Sequence, residues 1–196
     1  MKKKKTAFGA AGLATVVAIG AAAILGSGSA EAESPRGNYS LAHAQTFTDF
    51  PLYYAGETVA GLPLNYVLRQ PINQRKSSVS FIYGDCIPRG DAGCAPPVEV
   101  QIWPACIRNP SLYKPQGPVG PVAEMRTVRG VPAAFFEDGH RVEIQTGTAT
   151  VVIFGQEQSL VTEVANELRG VNVPVQATNK LPASDSRALV GKLPCS

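Results

Sequence analysis

The chain has 196 residues, with 18 Lys and Arg against 15 Asp and Glu, and four cysteines; that length fits one ordinary domain with extensions. The net charge of +3 sits in the leader: four of the basic residues are Lys2 to Lys5 and one acidic residue is Glu31, so fourteen of each sign remain from Glu33 onward. A neutral domain without a run of Lys and Arg interleaved with aromatics has no electrostatic footprint for a phosphate backbone, which speaks against a nucleic-acid partner.

The first 32 residues read as an export signal. Lys2 to Lys5 form a charged region, "TAFGAAGLATVVAIGAAAILG" an apolar one, and Ala30-Glu31-Ala32 a small-residue cleavage site. The uncharged run from Ala7 to Leu25 also approaches the ~20 residues that span a bilayer. A cleaved signal and a retained membrane anchor over residues 7–25 are both open. The lysines hold the N-terminus in the cytoplasm, so in either case the rest of the chain is extracytoplasmic, secreted or anchored with the domain outside.

Residues 33–62 begin polar and end aromatic without a sustained period. They are expected as a linker and irregular lead-in whose Phe47, Phe50, Tyr53 and Tyr54 cover a sheet. Residues 63–170 are the expected domain. "LNYVLR" places Leu64, Tyr66 and Leu68 on one face, "SVSFIY" places Val79, Phe81 and Tyr83 together, and "VEVQIW" separates Val98, Val100 and Ile102 from Glu99, Gln101 and Trp103. A Pro- and Gly-rich loop follows from Pro104 to Pro121. "VAEMRTVRG" and "VPAAFFE" give two more strands, and Asp138-Gly139 predicts a type I′ hairpin turn before Val142, Ile144 and Thr146. "TATVVIF" reads as a strand buried on both faces. Leu160, Val161, Val164, Ala165 and Leu168 recur at helical spacing, with Gln156 or Ser159 as the start and Gly170 as the C-cap. Residues 171–196 are expected as an extended arm with one short turn capped by Ser184. The fold class is therefore α+β: an antiparallel meander of six or seven strands with one late amphipathic helix packed on it.

Four cysteines in an exported chain are most simply two disulfides, with three connectivities to choose among. Cys94 and Cys106 flank an extended strand, which separates them far beyond the ~7 Å a disulfide bridges. Cys86 and Cys94 stand at either end of a hairpin connection, where a bond closes a small loop and contributes ~2.5 kcal/mol in the chain-entropy model. The expected pairs are Cys86 with Cys94 and Cys106 with Cys195. There is no C-x-x-C, and neither His43 nor His140 lies at ligand spacing to a cysteine, so no metal site and no cofactor is expected. The Arg89-Gly90-Asp91 triplet inside the first loop is read as turn residues rather than as an adhesion signal.

No G-x-S-x-G, H-E-x-x-H, Ser-x-x-Lys or phosphate-cradling loop is present. "GLPLNYV", "SFIYGDC", "PPVEVQIWPACIRNPSLY" and "VRGVPAAFF" with the following "VEIQTGTATVVIFG" resemble bacterial exported or singly anchored proteins of unknown function, over about residues 53–172. The hairpin, apolar strand and amphipathic helix at the end are also similar to extracytoplasmic domains of anti-sigma-type membrane proteins. The resemblance carries no active site.

The expected function is non-enzymatic binding of a protein or envelope component. The contact surface would lie on Trp103, Arg108 and Tyr113, unless Trp103 is covered by the N-terminal aromatics, the more ordinary place for it. Two alternatives compete. A hydrolase-like enzyme needs His43 or His140 to meet a carboxylate and a hydroxyl, and a small-ligand or lipid carrier needs a sizeable apolar cavity.

Overall fold

Alternating apolar positions set the strands. The computed structural model describes residues 39–74, 76–86, 93–110, 123–174 and 179–195. In chain order these form α1 (Leu41–Gln45), β1 (Tyr53–Tyr54), β2 (Thr58–Val59), β3 (Leu62–Pro71), β4 (Ser77–Tyr83), β5 (Val98–Pro104), β6 (Glu124–Val128), β7 (Val131–Phe136), β8 (Arg141–Thr146), β9 (Ala149–Gly155), α2 (Gln158–Glu167), β10 (Arg169–Gly170) and α3 (Ser186–Leu189). The class is α+β with a mostly antiparallel sheet.

The topology departs from one continuous meander. The main sheet has eight strands in the order β2-β3-β4-β5-β9-β8-β7-β6, all neighbours antiparallel, and β1 pairs separately with β10. Two runs of strands meet at β5 and β9, and the Pro-rich connection after β5 carries the chain to the far edge so that the second run returns inward. The apolar character of β9 explains why it lies inside. A strand with Val151, Val152 and Ile153 all 0% exposed has no face to give to water and belongs at the centre of a sheet.

One face of the sheet is sealed. Val79, Phe81, Tyr83, Val98, Val100, Ile102, Val142, Ile144, Val151 and Ile153 share a single apolar cluster with Val161, Val164, Ala165 and Leu168 of the helix and with Phe47, Phe50, Leu52 and Tyr53 of the lead-in. Burial of each large side chain contributes about 1.5–3 kcal/mol. The lead-in is therefore core cover, and it is held by polar clamps. Asn172 accepts from the Leu52 N–H at 2.7 Å and donates to the carbonyls of Phe47 at 2.7 Å and Phe50 at 2.9 Å. Tyr83 accepts from the Ala55 N–H at 2.9 Å and donates to the Gly56 carbonyl at 3.0 Å. The core thus extends beyond residues 63–170 to Ala44 and Leu181.

Several local expectations change. A register shift between Leu64 and Tyr66 puts Leu64 opposite Tyr83, on the sealed face, and leaves Tyr66 and Leu68 opposite Ile82 and Ser80 on the other; a one-residue slip reverses the faces. The β7–β8 connection is not a two-residue type I′ turn, because Phe136 pairs with Arg141 and four residues intervene, with Glu137, Asp138 and Gly139 at φ 53°, 54° and 90°. Gly170 is a strand residue, not the helix C-cap: the C-cap is Leu168, and the extended chain after it pairs with Tyr53–Tyr54. The arm does contain one short helix, capped by Asp185 rather than Ser184. The Asp185 carboxylate accepts from the Arg187 N–H at 2.8 Å, while the Ser184 hydroxyl donates to the Gln145 carbonyl at 2.6 Å.

Cys86 is bonded to Cys94, with Cα atoms 5.7 Å apart, and Cys106 to Cys195, at 5.4 Å. The second bond closes the longer loop and ties the arm to the turn after β5. Two disulfides point to an oxidising compartment. No helix among the described residues is long and apolar enough to cross a membrane; the signal or anchor expected over residues 1–32 lies outside them, as do Arg89-Gly90-Asp91.

Burial raises the pKa of Tyr83 far above the ordinary tyrosine value, and that of Tyr53 also rises. A tyrosine in the unfolded chain loses its proton near pH ~10 while the folded one keeps it. The stability contribution is therefore complete below that pH and is lost as pH rises beyond it. Tyr83→Phe should cost about 1–3 kcal/mol at neutral pH, because the Ala55 N–H loses its acceptor, and should flatten the alkaline fall in stability. Urea melts from pH 7 to 11 check both, and an unchanged alkaline slope would contradict the assignment.

Candidate functional site

The second face of the sheet is built from the alternate residues of the same strands. Across it run registered rows: Leu68, Ser80, Gln101, Val152, Glu143, Ala134 and Met125 in one, and Tyr66, Ile82, Glu99, Phe154 and Arg141 in the next. Trp103, Thr150 and Gln145 begin a third. Tyr66, Trp103 and Phe154 are half-buried there, and Met125, at the edge, is 55% exposed.

Trp103 is thus not covered by Phe47 to Tyr54. It alternates with Ile102, so it shares a side with Gln101 and Glu99, whereas the lead-in aromatics lie on the side of Ile102. Its indole N–H donates to the Gln101 side-chain oxygen at 3.0 Å, and the Gln101 amide donates to Glu99 at 3.0 Å. The Arg108 guanidinium stands 5.4 Å from the indole centroid, within reach of a cation–π attraction.

Arg108 is placed by a tight turn. The N–H groups of Ile107 and Arg108 donate to the Pro104 carbonyl at 2.9 and 3.1 Å, Ala105 N–H donates to Thr148 at 2.9 Å, and Cys106 is tied to Cys195. From that turn Arg108 forms a two-pronged ion pair with Glu143: Nε donates to Oε2 at 2.9 Å and Nη2 to Oε1. Glu143 is only 2% exposed. Arg141 Nε is 3.7 Å from the same carboxylate, at ion-pair rather than hydrogen-bond distance, and its guanidinium lies 4.2 Å from the Phe136 centroid. The Thr150 hydroxyl sits between the Arg108 carbonyl and the Gln145 side chain, 3.0 Å from the latter. Having one proton, it donates to only one of these two oxygens at a time.

Of the three residues expected to form a contact surface, Trp103 and Arg108 come together, and Tyr113 lies outside the described residues. The histidines do not converge. His43 is exposed and completes a capping box with Ser40, and His140 is exposed and lies 3.2 Å from the Gly155 carbonyl. Neither forms an ion pair with a carboxylate among the described residues. No group of three His, Cys, Asp or Glu suited to a metal occurs among them either.

Sequence reasoning did not find a second feature, a cleft of about 380 Å³ where the β6–β7 turn, the end of α2 and the C-terminal arm meet. Its walls are mostly apolar, and Arg129, Arg169 and Lys180 border it. The one local signal was Arg129-Gly130 between two strands, a turn pair with an unusual first residue.

The chain matches no protein-family model, no characterised protein sequence and no solved structure. The site therefore rests on its own geometry.

The Arg108–Glu143 pair gives a direct test of how this face is held. Breaking a buried pair leaves an uncompensated charge, whereas replacing both partners with apolar residues is often neutral. Arg108→Met should lower unfolding stability by about 3 kcal/mol, and adding Glu143→Leu should recover most of it. Denaturant melts of the two variants and the parent measure this; losses that simply add would show the two residues to be uncoupled.

Proposed function

We propose that the chain is exported and that its domain is a non-enzymatic binding module, engaging a protein or envelope component outside the cytoplasmic membrane through the sheet face of Trp103 and Arg108. One observation carries this reading. An eight-stranded sheet whose first face is sealed by helix and lead-in keeps Trp103, Tyr66 and Phe154 half-exposed on its second, beside buried Ile82, Val152 and Glu143, with an arginine fixed over the indole. Aromatic residues and arginine held rigidly are the groups that dominate binding energy at protein interfaces, since little side-chain freedom is lost on contact.

The export pattern of residues 1–32 and the two disulfides support the location, and residues 7–25, where retained, would hold the domain at the membrane. The likeness to extracytoplasmic domains of anti-sigma-type proteins suits a module that reports on a partner outside the cell. The hydrolase reading lacks support, because it needs a histidine placed beside a carboxylate and a hydroxyl.

A photo-crosslinking residue at Tyr66, an aromatic replacement on the second face, should give a discrete adduct in intact cells. The same residue at Thr162, on the exposed side of α2, should not. An adduct at Thr162 without one at Tyr66 would move the contact to the helix and overturn the assignment.

A further inference from the structure

The cleft is lined by Pro51, Leu168, Val173 and Leu181 and bordered by three cations, Arg129, Arg169 and Lys180. Its volume lies at the small end of the ~300–1,000 Å³ typical of small-molecule sites. Surface cations ordinarily find carboxylates or point away into water. Here none of the three has a carboxylate within 4.0 Å among the described residues.

Arg129 is held in place at a conformational cost. Val128 pairs with Val131, leaving Arg129-Gly130 as a two-residue turn with φ 47° and 86°. Both central residues are left-handed, where Asn or Asp before Gly is the favoured choice and a long side chain carries a penalty. The guanidinium is drawn over the cleft by donating to the Asn179 carbonyl at 3.0 Å and to the Leu168 carbonyl. Burial without a neighbouring carboxylate lowers its pKa. Arg169 also borders the cleft, but its guanidinium is turned to the Ala55 carbonyl, 3.1 Å away, and to the Tyr54 ring, 5.9 Å from its centroid, neither of which lines the cleft. An arginine has five N–H donors, and the two bonds of Arg129 use fewer than half of them.

A third observation is independent of charge. Tyr53, in the cleft wall, is 2% exposed, and its hydroxyl has no hydrogen-bond partner. The Thr146 hydroxyl is close enough to moderate its pKa, and because its own proton goes to the Pro182 carbonyl at 2.8 Å it faces the phenol only as an acceptor.

We propose that this cleft binds a small amphipathic anion, its carboxylate held by Arg129 and Lys180 and its apolar tail lying against Leu168, Val173 and Leu181. The apolar walls account for the tail, and cations without carboxylates account for the head, because charge-assisted bonds to arginine are about twice as strong as neutral ones. The site is separate from the Trp103 face, so either can fail without the other.

Titration of the exported protein by calorimetry with decanoate, decanol and acetate tests the proposal. Decanoate should bind one to one, at least about tenfold more tightly than decanol or acetate, the loss expected from about 1.4 kcal/mol of head or tail contact. Affinity should weaken as salt rises. Arg129→Asn keeps a residue suited to the left-handed turn and should fold, yet lose about tenfold in affinity. Lys180→Gln, at an exposed position, should weaken binding without changing the melting temperature. Decanol equal to decanoate would reduce the site to an apolar dent, and acetate equal to decanoate would reduce it to an ion patch. Unchanged affinity in both variants would remove the assigned head contacts. Any of these outcomes overturns the proposal.

Discussion

The pairing of β5 with β9 is the constraint on which the rest of the structure depends. From Val98 opposite Gly155 to Pro104 opposite Ala149, seven registered pairs join two runs of strands that are far apart in sequence. Without this contact each run would be a small sheet with a bare edge, a template for unwanted pairing. With it, the side of every residue is decided. Val100 and Ile153 face the helix, while Gln101 and Val152 face the other way.

This division explains why Arg108 and Glu143 meet. Glu143 comes from the second run, and Arg108 leaves the first just beyond its last strand. The register of β5 and β9 places the two side by side, and the turn at Pro104 with the Cys106–Cys195 bond keeps the guanidinium aimed. The same bond fastens the C-terminal arm, whose Leu181 fills the core while Lys180, next to it, borders the cleft. One scaffold thus supports both an aromatic sheet face and a cationic cleft at a different place.

The alternation of Val98, Val100 and Ile102 with Glu99, Gln101 and Trp103 made the two faces legible in the sequence, and the expected export signal with strand geometry made two disulfides the natural reading of four cysteines. Strand order was not legible. Periodicity says which way a side chain points but not which strand lies beside it, so a continuous meander and an inward-returning second run look alike. Trp103 shows the same limit in reverse: its strand position put it with Gln101, yet the general habit of aromatics to be covered suggested burial under the lead-in. Arg129, Arg169 and Lys180 belong to a turn, a two-residue strand and an arm, and only the tertiary fold gathers them. The clamp by Asn172 was equally hidden, since an asparagine after a helix reads as an ordinary loop residue.

Trp103 is the chain's single tryptophan, so its fluorescence reports on the second face alone. Acrylamide quenching of the free protein should be intermediate between that of a buried indole and a free one, and should fall when purified envelope from the same cells is added, as the face becomes covered. An indole that is unquenchable from the start, or one whose quenching envelope leaves unchanged, would contradict the account of a sheet face that binds through its half-exposed aromatics.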